Sequence, residues 1–488
     1  MKCNALMVSA LLVPGAGVFA APDQGQPNII FVLADDMGYG DAGFTGQQKI
    51  ETPNMDQMAA DGAIMANFYA GAPVCGPSRA TLMYGQHTGH APIRGNPRWT
   101  LSGNAPELAA DAKILPKQLK RAGYATAHFG KWGLNEAENP AEGVGNPLKQ
   151  GFDEFAGFNT HGEAHFHWPD YVWDGYEKVD WSKGEPGGNW ENKYQYADDY
   201  FTEKTLDFID RKAGKQPFFI YLGYTIPHKG YNVPKSSREY YEGRGWPVKK
   251  QKSGHYKNDP ELHTAYAGMV THMDAYLKEI REKLAEKGVA DNTLIIFTSD
   301  NGHEIGSNFF NSGGGLRGKK RSVTDGGIHM PTVVVWPAVI KPGRVIETPL
   351  AFWDVLPTFC EMAGVKPAGE TDGISFLPAL KGDMANQPEH EVMYWEFNEK
   401  AGPMQAVRFG DWKAVRTWDY RGKKFKPVQL YNLKDDKGEA NNLASAEPEM
   451  AKKALQYMIN TRTEHPEFPL TPRKVNKKKW EQKGKGKK

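Results

Sequence analysis

The sequence has few cysteines and, after its first twenty residues, no long hydrophobic run. Three cysteines in 488 residues exclude a small scaffold held together by disulfides. No stretch after residue 20 approaches the roughly 20 apolar residues that a membrane helix needs, so we expect no transmembrane segment. The sequence contains no internal repeat, so it does not predict a solenoid. A chain of this length instead predicts one large domain with a smaller one beside it.

The chain also lacks a strong overall charge, although its charge is unevenly placed. The net charge is +2, but residues 473–488 contain nine Lys or Arg and one Glu, which gives +8 there and leaves −6 on the rest. Such a basic tail is typically solvated, and attachment to a polyanion is the alternative. We expect no nucleic-acid partner.

The first twenty residues resemble a secretory signal peptide. Lys2 provides a positive start, residues 5–13 are apolar, and small residues precede Ala21. A buried first strand or helix is the alternative, which Pro14 disfavours because proline interrupts a long helix. We therefore expect residues 1–20 to be removed and the protein to be exported, either to the periplasm or out of the cell.

Short apolar runs at 27–33, 216–222, 293–297 and 332–336 predict strands buried on both faces. Helical periodicity lies between them, as at 262–284, where apolar residues recur every three or four positions before Gly288. This alternation predicts an α/β domain over residues 21–385, with a mostly parallel sheet flanked by helices.

Residues 386–472 have a different pattern. Four short strand-like runs and a helical segment at 448–459 predict a small antiparallel α+β subdomain. Within the first domain, residues 151–200 hold 13 Phe, Trp or Tyr, which is 26% against 12% overall. This aromatic segment indicates either a satellite core under a long loop or an aromatic wall that binds a sugar.

Acidic and amide side chains follow two of the predicted strands. Asp35 and Asp36 come after the first strand, and Asp300 and Asn301 come after the third. Because sites gather at the carboxyl ends of parallel strands, we expect these side chains to meet. Their hard oxygen ligands suit a calcium or magnesium ion. For Asp35 and Asp36 alone, a helix cap or a turn is the alternative.

A cysteine lies at a predicted helix start. Cys75 is followed by Pro77, and Arg79 lies one turn further on. The free N–H groups and dipole of a helix N-terminus favour an anionic nucleophile and an anionic substrate. An ordinary reactive thiol and a disulfide with Cys360 are the alternatives.

The segment Cys75-Gly76-Pro77-Ser78-Arg79 resembles the Cys-x-Pro-Ser-Arg signature of the sulfatase family, in which a dedicated maturation enzyme oxidises the cysteine to formylglycine. Further segments resemble the family in the same order along nearly the whole chain, at 28–40, 123–132, 225–228, 299–302, 316–327 and 430–443. The resemblance implies the alkaline-phosphatase-like sulfatase fold and hydrolysis of sulfate esters.

The resemblance also implies a role for each matching residue. Asp35, Asp36, Asp300 and Asn301 would bind calcium together with the formylglycine at residue 75. The hydrated formylglycine would attack sulfur, and its second hydroxyl would then expel sulfate and restore the aldehyde.

The remaining matches are basic residues. Arg79 would hold the hydrated nucleophile, and Lys131 and Lys320 would bind the sulfate. His228 would protonate the leaving oxygen as general acid. The adjacent Lys319 makes the match to Lys320 uncertain by one position.

One departure leaves the site a histidine short. Many relatives have the pattern Gly-Lys-Trp-His, whereas this chain has Gly133 at the last position. A cationic contact is therefore missing or comes from elsewhere. Asp325 also stands where Glu is usual before Gly-Gly.

The segment around Ala164-His165 and 169–171 resembles bacterial sulfatases that act on polysaccharides, often galactans or glycosaminoglycans. His165 and His167 are therefore candidates for binding a sulfated carbohydrate substrate, and packing within the aromatic loop is the alternative. Two other functions remain open, namely a phosphate or phosphonate ester hydrolase of the same superfamily and a catalytically silent sugar-binding envelope protein.

Overall fold

The fold is built around one ten-stranded sheet. The computed structural model describes residues 25–104, 106–135, 137, 139–182, 195–251, 256, 258–399 and 402–472. Its first strands are β1 (Asn28–Ala34), β2 (Ala63–Met65), β3 (Phe68–Tyr69), β4 (Ala125–Lys131), β5 (Glu154–Phe158), β6 (Tyr171–Asp174), β7 (Glu177–Asp180), β8 (Phe218–Gly223), β9 (Thr293–Ser299), β10 (Val333–Val335), β11 (Arg344–Ile346) and β12 (Leu350–Ala351). The large sheet has the order β11-β2-β10-β9-β1-β8-β4-β5-β6-β7, and β3 pairs with β12.

The centre of this sheet is parallel. Strand β1 pairs in parallel with β8 and β9, so that Phe31 lies opposite Tyr221 on one side and Ile296 on the other. Strand β4 pairs in parallel with β8 and β5. Within the described part of this sheet, antiparallel pairing is limited to β10 and to the β5-β6-β7 edge. The predicted mostly parallel sheet is confirmed.

Helices cover both faces of the sheet. They are α1 (Pro53–Asp61), α2 (Cys75–Tyr84), α3 (Leu115–Arg121), α4 (Ala197–Lys212), α5 (Lys235–Glu239), α6 (Leu262–Glu286), α7 (Asp325–Ile328), α8 (Val355–Met362) and α9 (Leu377–Lys381). Every residue of β1 is buried, because Ile30 and Val32 pack with α1, α4 and α6 while Ile29 and Phe31 pack with α2, α3 and α8. Helix α6 ends before Gly288, which has a φ of +67°.

A second, antiparallel sheet follows. It contains β13 (Met393–Glu399), β14 (Gly402–Phe409), β15 (Trp412–Asp419), β16 (Lys424–Phe425) and β17 (Gln429–Asn432), and α10 (Pro448–Asn460) packs against it. Trp395 donates a hydrogen bond from Nε1 to the Ala70 carbonyl at 2.9 Å and packs with Val74. The small sheet therefore supports the chain just before α2. Its antiparallel α+β character is as predicted.

Two sequence predictions fall outside the described residues, namely the signal peptide at 1–20 and the basic tail at 473–488. Across the part of the chain that is described, no helix has both the length and the apolar character needed to cross a membrane.

Candidate active site

The residues predicted from strand ends and segments meet at the carboxyl edge of the parallel strands. Asp35 follows β1, Asp300 follows β9, Lys131 ends β4, and His228 comes shortly after β8. These four strands are neighbours in the sheet. Helix α2 begins at Cys75, which places the cysteine and the first turn of the helix at the same edge.

Three carboxylates and one amide form a buried cluster. The backbone N–H of Asp36 donates to Asp300 Oδ1 at 3.3 Å, and Asn301 Nδ2 donates to Asp36 Oδ1 at 2.7 Å. Potential ligand atoms of Asp35, Cys75 and Asp300 all lie within 4.8 Å of one another. Asp36 has a φ of +67°, a left-handed conformation that aspartate tolerates better than most residues. All four side chains are buried.

Two oxygens in this cluster fit a metal ion. Among the residues that the structure describes, Asp35 Oδ1 and Asn301 Oδ1 are buried and have no hydrogen-bond partner. Leaving such atoms unpaired is costly, and carboxylate and amide oxygens are the ligands that calcium prefers. The cluster therefore has the composition and the unpaired acceptors of a divalent-cation site.

The pKa values of the carboxyls point the same way. Burial, opposed by Lys320, raises the pKa of Asp36 to about 6, and burial together with the Asp35 charge raises the pKa of Asp300 to about 7. Burial acts on Asp35 too, but Lys131 and other cations hold the pKa of Asp35 well below its ordinary value. Two carboxyls would thus take up protons near neutral pH unless a cation balances their charges.

Two buried lysines flank the cluster. Lys131 Nζ lies 2.5 Å from Asp35 Oδ2, and Lys320 Nζ lies 2.7 Å from Asp36 Oδ2. Burial opposes their charge, but the facing aspartates outweigh it and raise the pKa of both lysines. Lys319 is exposed, so the lysine that reaches the cluster is Lys320.

Arg79 donates hydrogen bonds both to the acidic cluster and to the end of β4. Its Nε and Nη2 donate to Asp300 Oδ2 at 3.0 and 2.9 Å, and its Nη1 donates to the Lys131 carbonyl at 2.6 Å. Two charge-assisted hydrogen bonds from one guanidinium to the same carboxylate oxygen restrict the orientation of the carboxylate. Arg79 thus orients Asp300 directly, one helical turn after Cys75.

Cys75 is buried and unpaired, as is Cys360, so the disulfide alternative is not observed in the described chain. Burial raises the pKa of the Cys75 thiol, although Lys131 opposes the shift. A thiol that stays protonated is a poor nucleophile, which disfavours the ordinary reactive thiol. Sγ lies 3.2 Å from His161 Nε2. Sequence reasoning missed His161 as a site residue.

The other histidines differ in accessibility. His228 Nε2 is 3.6 Å from Asp36 Oδ2, and its ring stacks on His165 with centroids 5.4 Å apart. His165 is partly exposed and stays a candidate for binding substrate. His167 is fully buried, with Nδ1 2.8 Å from Thr225 Oγ1 and Nε2 3.1 Å from the His228 carbonyl. Its contacts match the packing alternative.

The aromatic residues of segment 151–200 also include both buried and partly exposed side chains. Phe158, Trp181 and Tyr196 are buried in the main core beside the large sheet, so they pack as core residues but do not form a separate satellite core. Trp168 and Tyr171 are partly exposed, so they are available for the aromatic wall. Residues 183–194 of this segment lie outside the described chain.

Comparison with known proteins identifies the family. The model of the family described as Sulfatase matches residues 27–365, and the model of the N-sulphoglucosamine sulphohydrolase C-terminal region matches residues 318–465. The chain is 30% identical over 451 residues to the N-acetylgalactosamine-6-sulfatase of Mus musculus, covering 85% of this chain and 77% of that protein. It is 26% identical to the steryl-sulfatase of the same species, over 84% and 73%.

Solved structures are also similar to this chain. The crystal structure of Ps i-CgsB is 26% identical, with a TM-score of 0.76, and the match covers 95% of this chain and 98% of that one. The phosphonate monoester hydrolase of Agrobacterium radiobacter shares the fold, with 21% identity, a TM-score of 0.61 and coverage of 88% and 94%. The family match spans well over half of the chain, includes the segment around Cys75 and is supported by both relatives. The chain therefore belongs to the sulfatase family of sulfate-ester hydrolases.

Proposed function

We propose that this sulfatase hydrolyses sulfate esters of a sulfated carbohydrate, of the galactan or glycosaminoglycan type, with a formylglycine made from Cys75 and a bound calcium ion. The position of Cys75 carries the proposal. It begins helix α2, and its Sγ lies within 4.8 Å of potential ligand atoms of Asp35 and Asp300. A nucleophile at this point would meet both a cation and the anion-favouring helix start.

The buried acidic cluster would hold the calcium ion. Asp35, Asp36, Asp300 and Asn301 supply the oxygens, and the unpaired Oδ1 atoms of Asp35 and Asn301 support this assignment. When bound, calcium would balance charge on the sulfate and activate the formylglycine hydrate. Arg79 positions Asp300 through its two hydrogen bonds.

Lys131 and Lys320 would bind the sulfate group. Each ammonium carries three N–H donors, and one of them meets an aspartate in the present arrangement. The remaining donors can contact sulfate oxygens. Because both lysines are buried, their charges are screened little by solvent. They would therefore stabilise the charge that spreads over the transferring sulfate.

His228 would donate the proton to the leaving oxygen. Its Nδ1 is 2.9 Å from the Lys229 carbonyl, and because a carbonyl only accepts, Nδ1 carries a hydrogen. Nε2 is therefore the nitrogen that exchanges a proton with a substrate. The stacked and partly exposed ring of His165 lies beside it, where a sugar attached to the leaving oxygen would be.

The carbohydrate substrate is supported by the relatives. One of them is an N-acetylgalactosamine-6-sulfatase, and Ps i-CgsB has been crystallised with k-i-k-neocarrahexaose. We further propose that the protein is exported to the periplasm or secreted, because residues 1–20 have the composition of a signal peptide. Its partners would then include a formylglycine-generating maturation enzyme.

The test uses the full chain produced together with a formylglycine-generating enzyme. Mass spectrometry of the peptide containing residue 75 gives the formylglycine content, and sulfate release is measured on defined sulfated galactan and glycosaminoglycan oligosaccharides. We expect calcium-dependent release from at least one of them and none from Cys75→Ala. Faster cleavage of an aryl phosphate than of the matching aryl sulfate would instead assign a phosphate ester hydrolase. Sugar binding without any turnover would assign a silent binding protein.

A further inference from the structure

His161 lies against the position of the nucleophile. Its Nε2 is 3.2 Å from Cys75 Sγ, although none of the roles predicted from the sequence falls on this residue. It belongs to the loop that follows strand β5.

The pairing of two strands explains this position. Strands β4 and β5 run in parallel, with Lys131 opposite Phe158, and the Trp132 backbone N–H donates to the Phe158 carbonyl at 3.2 Å. The loops after the two strands therefore leave the sheet side by side. His161 stands three residues beyond Phe158, so it reaches the same space as the residues that follow Lys131.

Gly133 shows that this space is shared. A Cβ on Gly133 would lie 3.4 Å from His161 Nδ1 and 3.9 Å from both Arg79 Cδ and Lys131 Cε. A side chain at residue 133 would thus enter the site where the imidazole of His161 now stands. The missing side chain at 133 and the histidine at 161 are two parts of one arrangement.

The groups around Cys75 differ in the proton chemistry open to them. Lys131 and Lys320 are paired with carboxylates, and as ammonium ions they donate but cannot accept. The imidazole of His161 can accept a hydrogen bond and a proton through Nε2. In formylglycine an oxygen takes the place of Sγ on the same carbon, so Nε2 would face a hydroxyl of the hydrate.

We propose that His161 is a further catalytic residue, whose Nε2 is the hydrogen-bond partner and proton acceptor of the nucleophilic hydroxyl at residue 75. This assignment rests on the proposed function. The O–H bond of the hydroxyl breaks, its electron pair stays on oxygen, and the proton passes to Nε2. His161 thereby supplies from the β5 loop the histidine that is absent at Gly133.

The first experiment compares His161→Ala with the wild-type enzyme on an aryl sulfate, at matched formylglycine and calcium content. We expect kcat to fall by about 10²-fold or more, while KM changes by less than about threefold, because the lost contact acts on the nucleophile and not on substrate binding. His90→Ala removes a partly exposed histidine beyond the far end of α2 and serves as the control with unchanged kcat.

The second experiment moves the imidazole. Gly133→His is made in the wild-type and in the His161→Ala backgrounds, so that backbone strain from the φ of +73° at residue 133 is present in both. In the wild-type background, we expect Gly133→His to lower kcat, because the two imidazoles compete for the space beside residue 75. In the His161→Ala background, we expect Gly133→His to raise kcat.

The outcomes separate the two proposals. If the wild-type enzyme releases no sulfate, the proposed function fails. If the wild-type enzyme is active and His161→Ala keeps its kcat within about threefold, or if Gly133→His has the same effect in both backgrounds, the assignment of His161 is overturned and the sulfatase activity stands.

Discussion

Lys320 Nζ lies 2.7 Å from Asp36 Oδ2, and both side chains are almost fully buried. A second carboxylate, Glu304, stands 3.6 Å from the same ammonium. The pair thus holds a positive charge at the edge of the acidic cluster, where a sulfate oxygen would need it. The neighbouring Lys319 is exposed, which provides a matched control one residue away.

The first prediction concerns this lysine. Lys320→Met keeps the length of the side chain but removes its charge, so kcat/KM for an aryl sulfate should fall by about 10²- to 10³-fold, the usual cost of losing one donor to a developing anion. Lys319→Met should leave kcat/KM unchanged. Steady-state kinetics at equal formylglycine content measures both. Equal losses in the two variants would remove Lys320 from the sulfate site.

Part of this site could be predicted from the sequence for simple reasons. Asp35 and Asp300 follow apolar runs that are long enough to identify as buried strands, and parallel strands bring their carboxyl ends to one edge. The periodicity of α6 and its end near Gly288 could be predicted because apolar residues recur every three or four positions along an amphipathic helix.

The remaining features depend on long-range geometry. His161 was missed because its position depends on the register of β5 against β4, which local patterns do not reveal. The direction of β10 also had no local signal, since a three-residue buried strand has the same composition in either direction. The only local sign of a role for His161 in the sequence is Gly133, which lacks the side chain common in relatives, together with a histidine in the loop after β5.

The second prediction concerns calcium. Asp300→Asn keeps the shape of the side chain but removes one charge from the cluster, so calcium affinity should fall by at least about tenfold, or about 1.4 kcal/mol. Titration calorimetry on chelator-treated protein measures the affinity. Asp291→Asn, at an exposed position just before β9, is the control and should bind calcium as the wild type does. Unchanged affinity in Asp300→Asn would exclude Asp300 from the ligands.

The third prediction is a pH dependence of calcium binding. The pKa of Asp36 is raised to about 6 and that of Asp300 to about 7, so both carboxyls must lose protons before a cation can bind. Calcium affinity should therefore rise as pH increases from about 5 to 8, with proton release, and level off above about pH 8, where both carboxyls are ionised. Calorimetry in two buffers of different ionisation enthalpy measures the released protons. An affinity that is constant from pH 5 to 8 would contradict this.

The fourth prediction concerns the contact between α7 and the C-terminal sheet. Lys413 of β15 is fully buried and pairs with Asp325 and with Glu439, the latter at 3.3 Å. Burial would raise the pKa of Asp325, but Lys413 holds it below its ordinary value. Burial raises the pKa of Glu439, and Lys413 limits that rise. Asp325, which stands where glutamate is usual, is the first residue of α7, so Lys413 joins α7 to the C-terminal sheet.

Lys413→Met should destabilise the protein by about 3–5 kcal/mol at pH 7, because two buried carboxylates lose their shared cation. The pKa of Asp325 is depressed in the folded wild type, so the stability that Lys413 gives is present above the unfolded pKa of about 4 and is lost below it. In the variant, Lys413 no longer offsets the burial that raises the pKa values of Asp325 and Glu439. These carboxyls should therefore take up protons as pH falls from 7 towards 4, and the deficit should shrink over that range. Lys452→Met, on the exposed face of α10, should be neutral. Urea unfolding at pH 7 and near pH 4 measures the difference in free energy of unfolding between the variant and the wild type. A deficit that does not change with pH would mean that lost packing, and not lost charge pairing, destabilises the variant.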